Sequence, residues 1–102
     1  MIMLNHNLRI FIRVAEKGSI TETANELYIS QPAVSKQIAA LEDEFQVQLF
    51  LRKGRTVLLT PAGELYYNFF RRAATDFENT KRMALRLTGA AAAPPAAHLA
   101  FF

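Results

Sequence analysis

Ser30-Gln31-Pro32-Ala33-Val34-Ser35-Lys36-Gln37-Ile38-Ala39-Ala40-Leu41-Glu42-Asp43-Glu44-Phe45 is the stretch on which the fold turns. Its serine can accept from the free amides of a first helical turn, its proline suits a turn that has no use for the missing amide hydrogen, and no glycine follows. A helix therefore starts near Gln31. Val34, Ile38, Leu41 and Phe45 fall at i, i+4, i+7 and i+11, so they form one buried stripe. Gln31, Ser35 and Lys36 lie off that stripe and give the exposed N-terminal end an amide, a hydroxyl and a cation. Glu42, Asp43 and Glu44 gather at the far end. The helix dipole and Lys36 both attract anions to the tip, and the phosphates of DNA are the anion this polarity fits.

Upstream, Leu4, Leu8, Phe11 and Ala15 recur at helical spacing, with Ile12 and Val14 widening the apolar side. The spacing predicts a first helix over Leu8 to Glu16, stopped by Lys17-Gly18. Ser19 with Glu22 three residues on makes a capping box, and Ile20, Ala24 and Leu27 give a second helix its buried stripe. Only Tyr28-Ile29-Ser30 separates this helix from the next. The pair reads as a helix-turn-helix, with two helices of a small bundle as the competing reading. The outward placement of Gln31, Ser35 and Lys36 favours the first. Glutamine can pair with an adenine edge, serine can read either partner, and lysine can reach guanine or phosphate in a major groove.

Downstream, residues 46–52 and 56–60 are rich in aliphatic and aromatic side chains and flank Lys53-Gly54-Arg55, a hairpin pattern. This hairpin reads as a wing in which Arg52, Lys53 and Arg55 can meet phosphates or a narrow minor groove. A solvated hairpin tip is the alternative. Thr60-Pro61 opens a long last helix from Ala62 to Leu87. Tyr66, Phe70, Ala73, Phe77, Thr80, Ala84 and Leu87 step by alternating fours and threes along it. The core upstream can cover only the start of this seam, and the remainder asks for a second copy of the chain. Thr88-Gly89 ends the helix. The alanine- and proline-rich residues that follow read as a flexible tail.

The expected organisation is thus a mainly α chain: a winged helix-turn-helix with a short β-hairpin wing over residues 1–60, a long linker or dimerisation helix over 61–88, and a tail over 89–102. At 102 residues, 51% of them hydrophobic, the chain builds one small core, and its net charge of +3 is compatible with nucleic acid. It has no cysteine, which excludes disulfides and thiolate metal sites. The start, Met1 to Asn7, lacks the pattern of a signal peptide, and no apolar run can span a bilayer, so a cytoplasmic protein with no membrane partner is expected. Catalysis is not expected. His6 and His98 stand near the chain ends, Glu42-Asp43-Glu44 reads as a solvated helix end, and no glycine-rich phosphate loop or metal-ligand spacing occurs, so no cofactor is assigned.

From about Leu8 to Leu87 the sequence resembles the DNA-binding region of LysR-type transcriptional regulators. The carrying residues are Phe11, Val14-Ala15, Gly18-Ser19, Ala24, Leu27, the run Ser30 to Ile38, Leu41-Glu42, Leu49-Phe50, Arg52 and Leu59-Thr60-Pro61-Ala62-Gly63. The resemblance implies a sequence-specific regulator that binds an inverted repeat of double-stranded DNA as a homodimer, with linker helices paired antiparallel. It implies that Gln31, Pro32, Ser35 and Lys36 approach base edges or phosphate, that Ser30 caps the helix, and that Arg52 and Arg55 are wing contacts. Lys36 stands where relatives often have arginine, so its expected contact is a phosphate or a single base. Gln46 replaces a usual glycine at the helix end, so the left-handed cap there should be strained, reshaped or lost. Thr23 replaces a common alanine. The effector-binding domain of the family has no counterpart here, so a small-molecule effector is expected only if a longer protein supplies that domain. A helical interaction module with weak DNA binding is the alternative function.

Overall fold

The computed structural model describes residues 6–89 as α1 (His6–Lys17), α2 (Ile20–Leu27), α3 (Gln31–Phe45), β1 (Phe50–Lys53), β2 (Thr56–Leu59) and α4 (Pro61–Thr88). Leu4, most of the start read for a signal peptide, and the tail over 90–102 lie outside the described residues.

α1 is the hub, packing against α2, α3, α4 and β2. It runs slightly beyond the expected Leu8 to Glu16, and Ile10, absent from the expected stripe, is as fully buried as Phe11 and Val14. The reason is that neighbours close on α1 from several sides, so its apolar face is wider than one stripe. Gly18 stops it with φ +66°, and Ser19 then caps α2 by accepting from the Glu22 amide at 3.0 Å. Thr23 is accommodated without loss: fully buried, it donates its hydroxyl to the Ser19 carbonyl at 2.8 Å. The α2–α3 turn closes through Tyr28, which is left-handed (φ 57°, ψ 42°), and through the Ile29 amide donating to the Ala24 carbonyl at 3.0 Å.

α3 starts as expected, with the Ser30 hydroxyl accepting from the Ala33 amide. Its far end carries the strained left-handed cap that Gln46 implies and departs from expectation at Glu42. The left-handed cap survives without glycine: Gln46 sits at φ 58°, and its side-chain amide donates to the Asp43 carbonyl at 2.6 Å. Glu42 is no solvated end residue. Its carboxylate accepts from the amides of Leu49 (2.7 Å) and Phe50 (3.3 Å), which fixes the entry of β1 to α3. Hydrogen bonds to a charged acceptor contribute about 1.5–3 kcal/mol.

The hairpin is shorter than predicted, because the chain from Val47 to Leu49 is held by the end of α3 and by Thr60: the Val47 amide donates to the Glu42 carbonyl, the Leu49 amide to the Glu42 carboxylate, and the Leu49 carbonyl accepts from the Thr60 amide. β1 and β2 pair antiparallel, Phe50 opposite Leu59 and Lys53 opposite Thr56. Gly54 takes φ +63° at the first central position of a two-residue turn, where a side chain would be strained. The Thr60 hydroxyl accepts from the Gly63 amide and donates to the Gln48 carbonyl at 2.6 Å, tying the start of α4 to the hairpin. Phe11 packs its ring against Phe50 (5.4 Å between centroids) and Phe70 (6.3 Å), and Phe45 stacks on Tyr66 at 4.4 Å. Each fully buried ring contributes about 1.5–3 kcal/mol.

Candidate nucleic-acid interface

α2, α3 and the wing meet in an open groove of about 530 Å³. Gln31, Pro32 and Ser35 reach it from the first turns of α3, Arg52 and Arg55 from the hairpin, and Ile20, Gly54 and Val57 complete the lining with Thr21. None of these residues is acidic. The groove's polar groups are an amide, hydroxyls and two guanidinium groups, together a set of donors for phosphates and base-edge acceptors.

Strand register explains why Arg52 is here. Arg52 stands opposite buried Val57, on the inner face of the hairpin, whereas Leu51 and Leu58 pair on the outer face at about half exposure. From that inner face the Arg52 guanidinium donates to the Ser35 hydroxyl at 3.1 Å. The structure thus brings together Gln31, Pro32, Ser35, Arg52 and Arg55. Ser30, Lys36 and Lys53 are exposed but do not line the groove: Ser30 spends its hydroxyl on the cap, and Lys53 lies on the hairpin's outer face. Thr21, exposed in the first turn of α2, was not among the sequence candidates. Its signal was its position two residues after the Ser19 cap, on the helix that precedes α3.

Behind the groove, charged side chains lock the helices. Arg13 donates twice to the Glu26 carboxylate, both at 2.7 Å, and once to Glu16, while Lys17 adds a 3.1 Å contact to Glu26. The hydrogen bond from Arg13, and then that from Lys17, lower the Glu26 pKa from an ordinary 4.5 to about 2. The Tyr67 hydroxyl donates to Glu16 at 3.1 Å, and burial followed by that bond raises its pKa. α1, α2 and α4 are held together by this lattice.

The predicted dimer seam needs correction at its start. Phe70 is only 4% exposed and packs on Phe11, so its ring is spent on the chain's own core, and Tyr66 is half-buried against Phe45. Ala73 and Phe77 are half-buried, with the Lys81 ammonium 5.6 Å over the Phe77 ring, and Thr80, Ala84 and Leu87 are exposed. The large apolar side chains of α4 left in water are Leu65 (74% exposed), Phe69, Met83, Leu85 and Leu87 (88%), of which only Leu87 belongs to the predicted seam. At 100° per residue Leu65, Phe69, Met83 and Leu87 fall on one side of α4, roughly a quarter turn or more from the core-facing line through Gly63 and Phe70, whereas Leu85 falls near the extension of that line, beyond the reach of the core. The sequence pattern alone did not separate the two stripes, because both are apolar.

Among the described residues, no group of side chains could hold a metal ion and no helix is long and apolar enough to cross a membrane.

The family profile described as bacterial regulatory helix-turn-helix protein, lysR family, matches residues 5–64. An uncharacterized HTH-type transcriptional regulator of Azotobacter vinelandii, from the ibpB-leuC intergenic region, is 47% identical over 81% of this chain and 58% of its own length. The RuBisCO operon transcriptional regulator of Allochromatium vinosum is 40% identical over 80% of this chain and 27% of its own. The chain therefore spans little more than half of one relative and about a quarter of the other. Among solved structures, the BenM DNA-binding domain in complex with benA site 1 DNA superposes with a TM-score of 0.73 at 36% identity, covering 79% of this chain and 94% of that one.

Proposed function

Because the chain belongs to the LysR family of bacterial helix-turn-helix regulators, we propose that it is a sequence-specific DNA-binding transcription regulator that sets α3 in the major groove of duplex DNA. The observation that carries this reading is the acid-free groove in which Gln31, Pro32, Ser35, Arg52 and Arg55 converge at the positive end of α3. Gln31 is the base reader, since its exposed amide can pair with adenine. Lys36 and Lys53, outside the groove, meet flanking phosphates, as does Ser30 from the cap. Arg55 at the wing tip meets the backbone or the minor groove. Phosphate contacts set position and base contacts set sequence. That the similar BenM domain forms a complex with DNA supports a DNA-binding reading.

Residues 6–60 form the reading unit and 61–88 the rod that pairs two copies, so that two α3 helices face successive major grooves of an inverted repeat. Such a regulator works in the cytoplasm, where bacterial DNA lies. A small-molecule effector enters only if a longer protein supplies a domain to bind it.

Titration of fluorescent random duplex at several salt concentrations tests the reading. Binding should weaken steeply as salt rises, with a logarithmic slope of about −0.9 per phosphate contacted. Absence of salt-dependent binding would leave a helical interaction module as the function.

A further inference from the structure

The hydrogen bond between the wing and the reading helix assigns a role beyond simple contact. Ser35 is half-buried in α3, and its hydroxyl oxygen accepts from the Arg52 guanidinium at 3.1 Å. Arg52 is exposed, its strand register turns it to the inner face of the hairpin, and both side chains line the groove that holds Gln31 and Arg55. An arginine on a two-stranded hairpin samples many rotamers, and a single acceptor at the right distance selects among them. A guanidinium carries five N–H donors and Ser35 takes one, so the others stay available to DNA.

We propose that Ser35 is a positioning residue for Arg52. It acts on DNA through that guanidinium, so that reading helix and wing engage the duplex as one coupled pair rather than as independent contacts. The rest of the hairpin is built to keep this alignment. Glu42 of α3 holds the Leu49 and Phe50 amides, and the Val57 amide of β2 donates to the Gly18 carbonyl at 3.0 Å, so β1 and β2 are each anchored within a few residues of the bond. This proposal rests on the DNA-binding reading above.

The discriminating property is charge. Ser35→Ala removes no charge, so a serine that merely touches a base or supports the helix should leave the salt dependence of binding unchanged. A serine that aims Arg52 should not. The experiment measures affinity for one duplex across a salt series with wild type, Ser35→Ala, Arg52→Ala, the double variant and Ser35→Thr, with melting curves confirming that each is folded. Arg52→Ala is expected to flatten the slope by about one phosphate's worth. Ser35→Ala is expected to flatten it in the same direction and to lose about three- to tenfold in affinity, the effect of one hydrogen bond. The double variant should bind no worse than Arg52→Ala within twofold, and Ser35→Thr, which keeps the hydroxyl, should restore the wild-type slope. A wild-type slope for Ser35→Ala beside a flattened one for Arg52→Ala, or losses that multiply in the double variant, overturns the proposal while leaving DNA binding intact. A wild type without salt-dependent binding overturns the DNA-binding reading itself, and this proposal with it.

Discussion

Gly63 shows how one residue couples the reading unit to the rod. A Cβ built there would collide with the Leu49 carbonyl oxygen and press within 3.0 Å of the Leu59 side chain, and the obstructing carbonyl is backbone that cannot swing aside. Gly63→Ala is therefore expected to destabilise the fold by about 2–3 kcal/mol, as overpacking does, seen as a lower denaturant midpoint at unchanged m-value. Tyr28 is the opposite case. Its backbone is left-handed while its side chain is 94% exposed. Asparagine tolerates that conformation better, so Tyr28→Asn should raise stability by about 0.5–1 kcal/mol in the same assay. The sequence disclosed residues whose work is local. Ser19, Ser30 and Thr60 cap helices as expected because a cap reaches only three residues along the chain. The roles of Glu42 and Phe70 were not legible, since the partners of Glu42 lie seven and eight residues on, across a turn, and a heptad pattern does not say which chain covers Phe70.

At the scale of elements, α2 is short and is kept against α1 by charge as well as by Ala24 and Thr23. Glu26 ties them, and the acid limb of stability follows from its lowered pKa. A carboxylate whose folded pKa lies below its unfolded value stabilises the fold above about pH 4.5, and that contribution fades as pH falls toward 2. Glu26→Gln should therefore flatten the dependence of the thermal midpoint on pH across this window. Added salt should shrink the effect in wild type, since the pair is partly exposed. An unaltered acid limb in the variant would place the dependence elsewhere. The helices were legible because their caps and stripes lie in consecutive residues. The wing was legible as a hairpin but not in its limits, since Gly54 announces the turn whereas the start of β1 depends on which amides Glu42 captures.

The whole molecule is a compact reading unit with a rod of which only the start is covered. The side chains of Leu65, Phe69, Met83 and Leu87 lie in water along one side of α4, an arrangement that pairing two rods antiparallel would bury, with Leu65 and Phe69 of one copy near Leu87 and Met83 of the other. Phe69→Glu should convert a dimer to monomers in sedimentation equilibrium while leaving the fold of the reading unit intact. Phe70→Glu should instead unfold it, because that ring is inside the core. A dimer that persists in Phe69→Glu would place the interface on another face. The groove was only half legible from sequence: Gln31 and Ser35 follow from helical phase, whereas their meeting with Arg52 and Arg55 depends on the strand register and on how the hairpin is anchored beside α3.

That α3 reads bases is tested most directly by a binding comparison over all single-base variants of a duplex selected from a random pool. Gln31→Ala should lose about 1–3 kcal/mol of discrimination at one base pair in each half-site and keep its preferences elsewhere. A Gln31→Ala protein with the wild-type preference at every position would contradict the account.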